Sequence, residues 1–335
     1  MLVELEVPTL GAGQVLVEIE YSGVCHTQLL ECRGYRGEDK YLPHCLGHEG
    51  SGAILEVGPG VTKVKPGERV VISWIQGSGP SVRPPLYQWN SRTVNSGPTS
   101  TFGRHTVVLE NRVTVVPDWV DARQAALLGC AAATGLGAVF NTARPTPGQS
   151  LAVFGVGGIG LSAVAAARIA GCSPVIAIDV LDERLAVAAC MGADHRLNPS
   201  FVDVDKMIAK LCPGGLDFAI EASGRPAVMA QALKNVRSRG GATVIIGNAH
   251  HGEQLTLDPQ QFNQGKRLLG TWGGDTYPDT DFPRYCELLR DGRLNLEPLL
   301  SRTYSLEEIN EALDDLEAGR VTRPMVAMRA SQTGA

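Results

Sequence analysis

Two thiols and an imidazole in the first 130 residues have the chemistry of a metal site. Cys25 lies in S-G-V-C-H-T-Q, His48 in L-G-H-E-G and Cys130 in L-L-G-C-A-A-A-T-G. Thiolate sulfur and imidazole nitrogen are borderline-soft ligands that suit Zn²⁺, and three protein ligands leave a fourth position open for a reacting molecule. Glu49, beside His48, would support the ligands from behind or act as an alternate ligand during exchange. Taken singly, each residue has a plainer reading, since a buried Cys is usually a small hydrophobe. Spacing alone does not join ligands so far apart in the chain.

A second constellation follows Cys130. Residues 151–184 read L-A-V-F-G-V-G-G-I-G-L-S-A-V-A-A-A-R-I-A-G-C-S-P-V-I-A-I-D-V-L-D-E-R. A short apolar run suits a buried parallel strand. Gly155, Gly157 and Gly160 then give G-x-G-x-x-G, whose glycines allow a tight turn, close backbone approach to a pyrophosphate and close helix packing. The helix opening there directs free N–H groups and a positive dipole at phosphate. A second apolar run ends in Asp179, about twenty residues beyond the last glycine, where a carboxylate holds an adenosine ribose diol and repels a 2′-phosphate. Strand, turn, helix, strand and acid together predict NAD as the bound nucleotide.

The elements that must position these groups fall into two kinds. A chain of 335 residues is long enough for two domains, each with its own core. Residues 15–20 alternate apolar and polar, and residues 52–57 and 68–72 repeat the theme around Pro-Gly turns. This predicts an antiparallel β domain, a small barrel. Residues 75–100, rich in Gly, Pro, Ser and Asn, are expected to form a long surface excursion. Strand character returns at 102–116, and 121–140 reads as one Ala-rich helix with Asp121 as N-cap. Beyond 151 strands and helices alternate, the order of a doubly wound parallel sheet. Helices are expected again at 282–290 and 306–318, the latter opening on a Ser305–Glu308 capping box.

A net charge of −5 and a hydrophobic content of 44% describe a globular chain and exclude a nucleic-acid or acidic-membrane surface as partner. The uncharged runs 125–143 and 151–167 approach membrane-spanning length, but their glycines and the dinucleotide pattern make them buried elements. No signal-peptide pattern opens the chain. Eight cysteines without a dense framework read as reduced thiols, which makes the cytoplasm the expected location.

With G-V-C-H-T, the run G-H-E-G-S-G-A-I-L-E-V-G-P-G-V-T-K-V-K-P-G-E-R-V, and G-C-A-A-A-T-G-L-G ahead of A-V-F-G-V-G-G-I-G, the chain resembles the zinc-dependent alcohol dehydrogenases of the medium-chain dehydrogenase/reductase superfamily. The resemblance implies an α/β fold. A GroES-like β-barrel catalytic domain (1–131 and 273–335) would be interrupted by a Rossmann NAD-binding domain (132–272), with the active site in the cleft between them. Cys25, His48 and Cys130 match the ligands of one catalytic zinc, and Thr27 the hydroxyl that takes the alcohol proton. His26 and Arg323 match basic groups at the pyrophosphate, and Thr134 a contact at the nicotinamide. Gly155, Gly157, Gly158, Ile159 and Gly160 match the phosphate turn, Asp179 the ribose acid, and Arg184 its basic partner. The implied reaction passes a hydride between a small alcohol and NAD, giving an aldehyde or ketone, in a homodimer.

Four departures qualify the likeness. Residues 75–100 hold no cysteine, so the family's structural zinc is expected to be absent. Gln28 stands where an aspartate usually orients the zinc-bound histidine, and Leu30 where many members carry a proton-passing histidine. The opening strand pair is shortened. Trp74, Ile75, Phe102 and Trp272 are candidates for a pocket wall. Two rivals follow from the same residues: a zinc-free enone or quinone reductase of the superfamily, and a nicotinamide-binding protein without turnover.

Overall fold

The structure is a computed structural model that describes residues 1–328, and it divides into two compact units. The first comprises Met1–Cys130, Tyr277–Glu287 and the chain from Leu300, and the second Ala131–Thr276 with Leu288–Leu299. Residues 288–299, expected in the first unit, therefore group with the second. The expected domain end at 335 lies outside the described residues.

In the first unit, β1 (Gln14–Gly23) leads into α1 (His26–Cys32). Then come β2 (Glu49–Val57), β3 (Arg69–Ser73), β4 (Leu86–Trp89), β5 (Arg92–Asn95), β6 (His105–Leu109) and β7 (Val113–Val115). β1 pairs antiparallel with β2 and β6, β2 with β3, and β3 with β7. Alternation along β1 turns Val15, Val17 and Ile19 inward, where they meet Ile54, Ile72 and Val113 in one core. The expected strand at 102–116 is broken by a 3₁₀ turn, Glu110–Arg112. Asp121 caps α2 (Ala122–Leu128), accepting from the N–H groups of Arg123 (2.9 Å) and Gln124 (3.3 Å). The single helix expected over 121–140 is interrupted at Gly129–Cys130, which frees the Cys130 thiol from a continuous helix face.

The excursion at 75–100 differs from expectation. β4 and β5 form a hairpin around Asn90, whose φ of 54° supplies the left-handed turn. Tyr87 and Val94 pack with Val107, Leu5, Leu10 and Leu16 into a small apolar cluster. The segment ahead of β1 joins this hairpin through the Glu6 N–H donated to the Gln88 carbonyl, 3.2 Å.

The second unit begins with α3 (Ala131–Gly137), extended by a π-helical turn at Ala138–Ala143. It continues β8 (Leu151–Phe154), α4 (Gly158–Ile169), β9 (Val175–Ile178), α5 (Asp182–Cys190) and β10 (His195–Leu197). Then follow α6 (Val204–Leu211), β11 (Phe218–Glu221), α7 (Pro226–Asn235), β12 (Ala242–Ile245), α8 (Gln260–Asn263) and β13 (Arg267–Gly270). The strands lie parallel in the order β10-β9-β8-β11-β12-β13, a doubly wound Rossmann sheet in which the order of strand addition switches side between β8 and β11. No single helix among the described residues is long and apolar enough to cross a membrane.

The chain returns to the first unit through α9 (Pro278–Arg290), then β14 (Thr303–Ser305), α10 (Ile309–Glu317) and β15 (Met325–Ala327). β15 pairs with the end of β1, Gly23 opposite Met325. The Ser305–Glu308 capping box forms as expected, with the Ser305 N–H donating to Glu308 Oε2 at 2.7 Å and the Ser305 hydroxyl donating to the same oxygen at 2.9 Å.

The buried Val107 N–H donates to the Tyr87 hydroxyl at 2.7 Å and ties the hairpin to β6. Tyr87→Phe removes that acceptor and is expected to lower unfolding free energy by about 1–3 kcal/mol. Urea denaturation checks this; an unchanged midpoint would show that the hydroxyl contributes nothing to anchoring the hairpin.

Candidate active site

Cys25, His48 and Cys130, all in the first unit, meet there although they come from three separate turns. Cys25 leaves β1 and occupies the N-cap of α1 in extended geometry, φ −94° and ψ 149°. His48 immediately precedes β2, whose first residues pair with the end of β1, and Cys130 sits in the break after α2. Their ligand atoms lie within 4.8 Å of one another, with His48 Nε2 3.2 Å from Cys130 Sγ. Zinc bound tetrahedrally at ~2.3 Å from sulfur and ~2.0 Å from nitrogen spans ligand pairs about 3.5–3.8 Å apart. Donor chemistry and spacing therefore fit one zinc ion.

Electrostatics favour metal uptake. A hydrogen bond from the Cys130 thiol, with the positive charge of Arg323, holds the Cys25 thiol well below the ordinary thiol range despite burial. The same partnership with Cys25, together with burial, pushes Cys130 well above it. Metal binding to thiol ligands releases their protons, so uptake of zinc by this pair depends on pH.

Gln28 bridges two ligands. Its Oε1 accepts the Cys25 N–H at 3.2 Å, and its Nε2 faces His48 Nδ1 in a short hydrogen bond. An imidazole that binds metal through Nε2 keeps its proton on Nδ1 and donates it outward. Coordination here therefore requires the Gln28 amide to turn over and present its oxygen to the ring. Two residues after Cys25, Thr27 is half-buried on α1; His26 is exposed and Leu30 buried.

Behind the ligands lies a buried ion pair. Glu49 is 0% exposed and Arg323 4%, and the Arg323 guanidinium Nη2 donates to Glu49 Oε1. Burial alone would lower the arginine's pKa, but Glu49 and the two thiols raise it overall. A Cβ at Gly23 would sit 2.0 Å from Glu49 Oε1, and one at Gly129 would sit 2.9 Å from Glu49 Cβ. The Glu49 carboxylate occupies the side-chain space of Gly23, whereas at Gly129 the Ile72 carbonyl, 2.3 Å away, and the root of the Glu49 side chain leave no room for a Cβ. Arg323, which the family likeness assigns to a pyrophosphate, engages Glu49 through Nη2, a partnership no spacing in the sequence announces.

In the second unit, Gly155 turns the chain at φ +85°, and a Cβ on Gly160 would strike the Gly155 carbonyl at 2.0 Å. A Cβ at Gly157 would meet no atom within 4 Å, so that side of the turn is open to a phosphate group. Gly158 and Ile159 form the first turn of α4, whose N-terminus has no side-chain cap and leaves N–H groups free for an anion. Asp179 Oδ2 accepts the Val156 N–H (2.8 Å) and Oδ1 the Leu181 N–H (3.0 Å), which leaves each oxygen a further lone pair. Arg184 Nη1 stands 3.8 Å from Asp179, and its buried Nε has no hydrogen-bond partner. The Thr134 hydroxyl on α3 is likewise buried and unpartnered. Open turn, orphaned donors and a ribose-competent carboxylate fit a bound NAD.

Comparison with known proteins agrees with both units. A family model for the alcohol dehydrogenase GroES-like domain matches residues 11–118, and one for zinc-binding dehydrogenases matches 158–291. An S-(hydroxymethyl)glutathione dehydrogenase of Photobacterium damsela subsp. piscicida is 34% identical over 97% of this chain and 95% of its own. The corresponding Escherichia coli proteins are 32% identical over the same shares. Among solved structures, a zinc-binding-domain alcohol dehydrogenase protein from Burkholderia ambifaria superposes with TM-score 0.89 at 31% identity, covering 96% of this chain and 93% of that one. Benzyl alcohol dehydrogenase from Acinetobacter calcoaceticus gives 0.88 at 28% identity, covering 97% and 94%. The chain belongs to the zinc-dependent alcohol dehydrogenases of the medium-chain dehydrogenase/reductase superfamily.

Two predictions follow from the ligand surroundings. Gln28→Glu offers one oxygen to the Cys25 N–H and the other to His48 Nδ1–H without reorientation, and is expected to tighten zinc by about 10–100-fold. Competition against a chromophoric chelator measures this, and equal or weaker affinity would contradict it. Arg323→Met strands the Glu49 carboxylate and should cost about 3–5 kcal/mol; adding Glu49→Gln should recover much of it, as read by urea denaturation.

Proposed function

We propose that the chain oxidises a small alcohol with NAD, or reduces the matching aldehyde or ketone, at zinc held by Cys25, His48 and Cys130. The observation that carries this reading is the mutual approach of those three ligand atoms within 4.8 Å. When bound, zinc supplies the Lewis acid that acidifies the alcohol, and NAD the hydride acceptor. Thr27 takes the alcohol proton on its hydroxyl and passes it on. Leu30 stands where a histidine would continue the relay, so the proton would pass on to solvent or to another base and not to an imidazole at that position. Gln28 orients the imidazole, and the Glu49–Arg323 pair fixes the ligand loops from behind. The turn at Gly155–Gly160 would hold the pyrophosphate, the group to which the family likeness also assigns His26. Asp179 and Arg184 hold the ribose, and Thr134 contacts the nicotinamide.

The relatives' names point to alcohols as different as a glutathione hemithioacetal and benzyl alcohol, so the substrate class proposed is a small primary or secondary alcohol. All eight cysteines are free thiols, which supports a cytoplasmic enzyme, and a homodimer is the assembly we infer from the family.

Metal content together with NADH absorbance over a panel of alcohols tests the proposal. Zinc at roughly one per chain, with turnover abolished by a chelator, is expected. Metal-free turnover of enones would favour the zinc-free reductase instead, and zinc without any turnover a non-catalytic nucleotide binder. Thr27→Val should lower kcat by about 10²–10⁴-fold while zinc content stays constant; an unaltered kcat would remove Thr27 from the proton path.

A further inference from the structure

One strap of chain, residues 73–81, carries an aromatic ring to the metal-binding imidazole. The Trp74 indole meets His48 edge-on, with ring centroids 6.4 Å apart and planes at 65°. Successive bonds hold this strap. Ser73 Oγ donates to the Gly129 carbonyl at 2.7 Å and accepts the Ile75 N–H at 2.9 Å, which links the strap to the loop of Cys130. Arg112, half-buried and without a carboxylate partner among the described residues, donates to the Trp74 carbonyl. The Gly77 N–H donates to the Asn111 carbonyl at 2.8 Å, and Asn111 Nδ2 to the Pro80 carbonyl at 3.0 Å.

The far end of the strap closes on an ion pair. Asp279, in the first turn of α9, accepts the Ser78 N–H at 2.5 Å on Oδ2 and pairs with Lys63 Nζ at 2.5 Å on Oδ1. Lys63 also donates to the Ser78 carbonyl at 3.3 Å. The side chains of Lys63 and Asp279 are only 16% and 20% exposed, and a Cβ at Gly77 would lie 2.9 Å from both Lys63 Nζ and Asp279 Oδ2. Burial opposes the Asp279 charge, yet the bonds from Lys63 and Ser78 keep its carboxyl below the usual range. A largely buried ion pair adds little net stability, and its best-attested use is to select one arrangement over others. The arrangement selected here is that of the strap.

We propose that the Lys63–Asp279 pair, through the strap, positions Trp74 beside the metal-binding imidazole and so sets which alcohols the site accepts. This rests on the alcohol-oxidising reading above. Lys63 and Asp279 are positioning residues that touch neither substrate nor metal. Releasing the strap lets the indole leave the imidazole edge, so the wall it forms no longer discriminates by size.

The test compares kcat/KM for a bulky aromatic alcohol and a short aliphatic one in wild type, Asp279→Asn, Trp74→Ala and the double variant. Asp279→Asn is expected to shift the ratio by about tenfold, the scale of one displaced pocket contact, at unchanged zinc content. In the Trp74→Ala background it should shift the ratio no further. A folded, zinc-loaded Asp279→Asn protein with the wild-type ratio would overturn the proposal, as would an equal shift without Trp74. Lys63→Met, with the same outcomes, serves should Asp279→Asn fail to fold. A second readout needs no turnover: cobalt loaded into the site should quench Trp74 fluorescence, with Trp74→Phe as the blank. Reduced quenching in Asp279→Asn supports positioning even if no alcohol is oxidised, and unchanged quenching refutes it.

Discussion

The ligand set of the first unit depends on one buried charge pair. A fully buried carboxylate directly after a metal-binding histidine is tolerable only where a cation meets it with good geometry. Arg323 is that cation, and it arrives from nearly the other end of the chain. Around the pair, Gly23 precedes the Cys25 loop by two residues and Gly129 adjoins Cys130, so both thiol-bearing turns are built against the Glu49 side chain. The Val24 N–H donated to the Pro324 carbonyl at 3.0 Å fastens the same corner to the segment that bears Arg323. The three metal ligands converge because their loops close around a carboxylate that cannot be left alone.

Legibility followed burial. The strands read from apolar runs, β8, β9, β11 and β12, are the inner members of the parallel sheet, with helix-covered faces that demand such runs. The two that carry no such signal, β10 and β13, are its edges. His195 and Arg196 are exposed there, as are both ends of β13, so nothing in composition marks them as strands. The β4–β5 hairpin was hidden for a related reason. Among prolines and serines, only Tyr87, Val94 and a few neighbours face inward, and they bury themselves against Leu5 and Leu10 from a distant part of the sequence.

The site was legible to different depths. Ligand identities could be inferred from residue chemistry and family likeness, because thiolate and imidazole at the matched positions leave few alternatives. What those side chains bond to was not. Gln28 is the clearest case: its type says that it can orient an imidazole, but not that its oxygen is already taken by the Cys25 N–H. Arg323 is another, since an arginine reads alike whether it meets a phosphate or a buried carboxylate. Only the absence of side chains at Gly23 and Gly129 hinted that something large lay beside them, and glycines next to turns have too many other uses to be read that way.

Charge balance ties these observations to reactivity. Two thiolates and Glu49 bring three negative charges to a buried space; Arg323 and a divalent ion bring three positive ones. Such a set can be buried at little net cost, whereas a set with one charge in excess would carry a desolvation penalty. A carboxylate at position 28 would add a fourth negative charge and bind the cation more tightly, while making the site less able to stabilise negative charge developing on an alcohol oxygen. The neutral glutamine keeps the balance at zero and the metal site correspondingly electrophilic. Weaker hold on the cation and stronger pull on the alcohol oxygen are thus two consequences of the same amide.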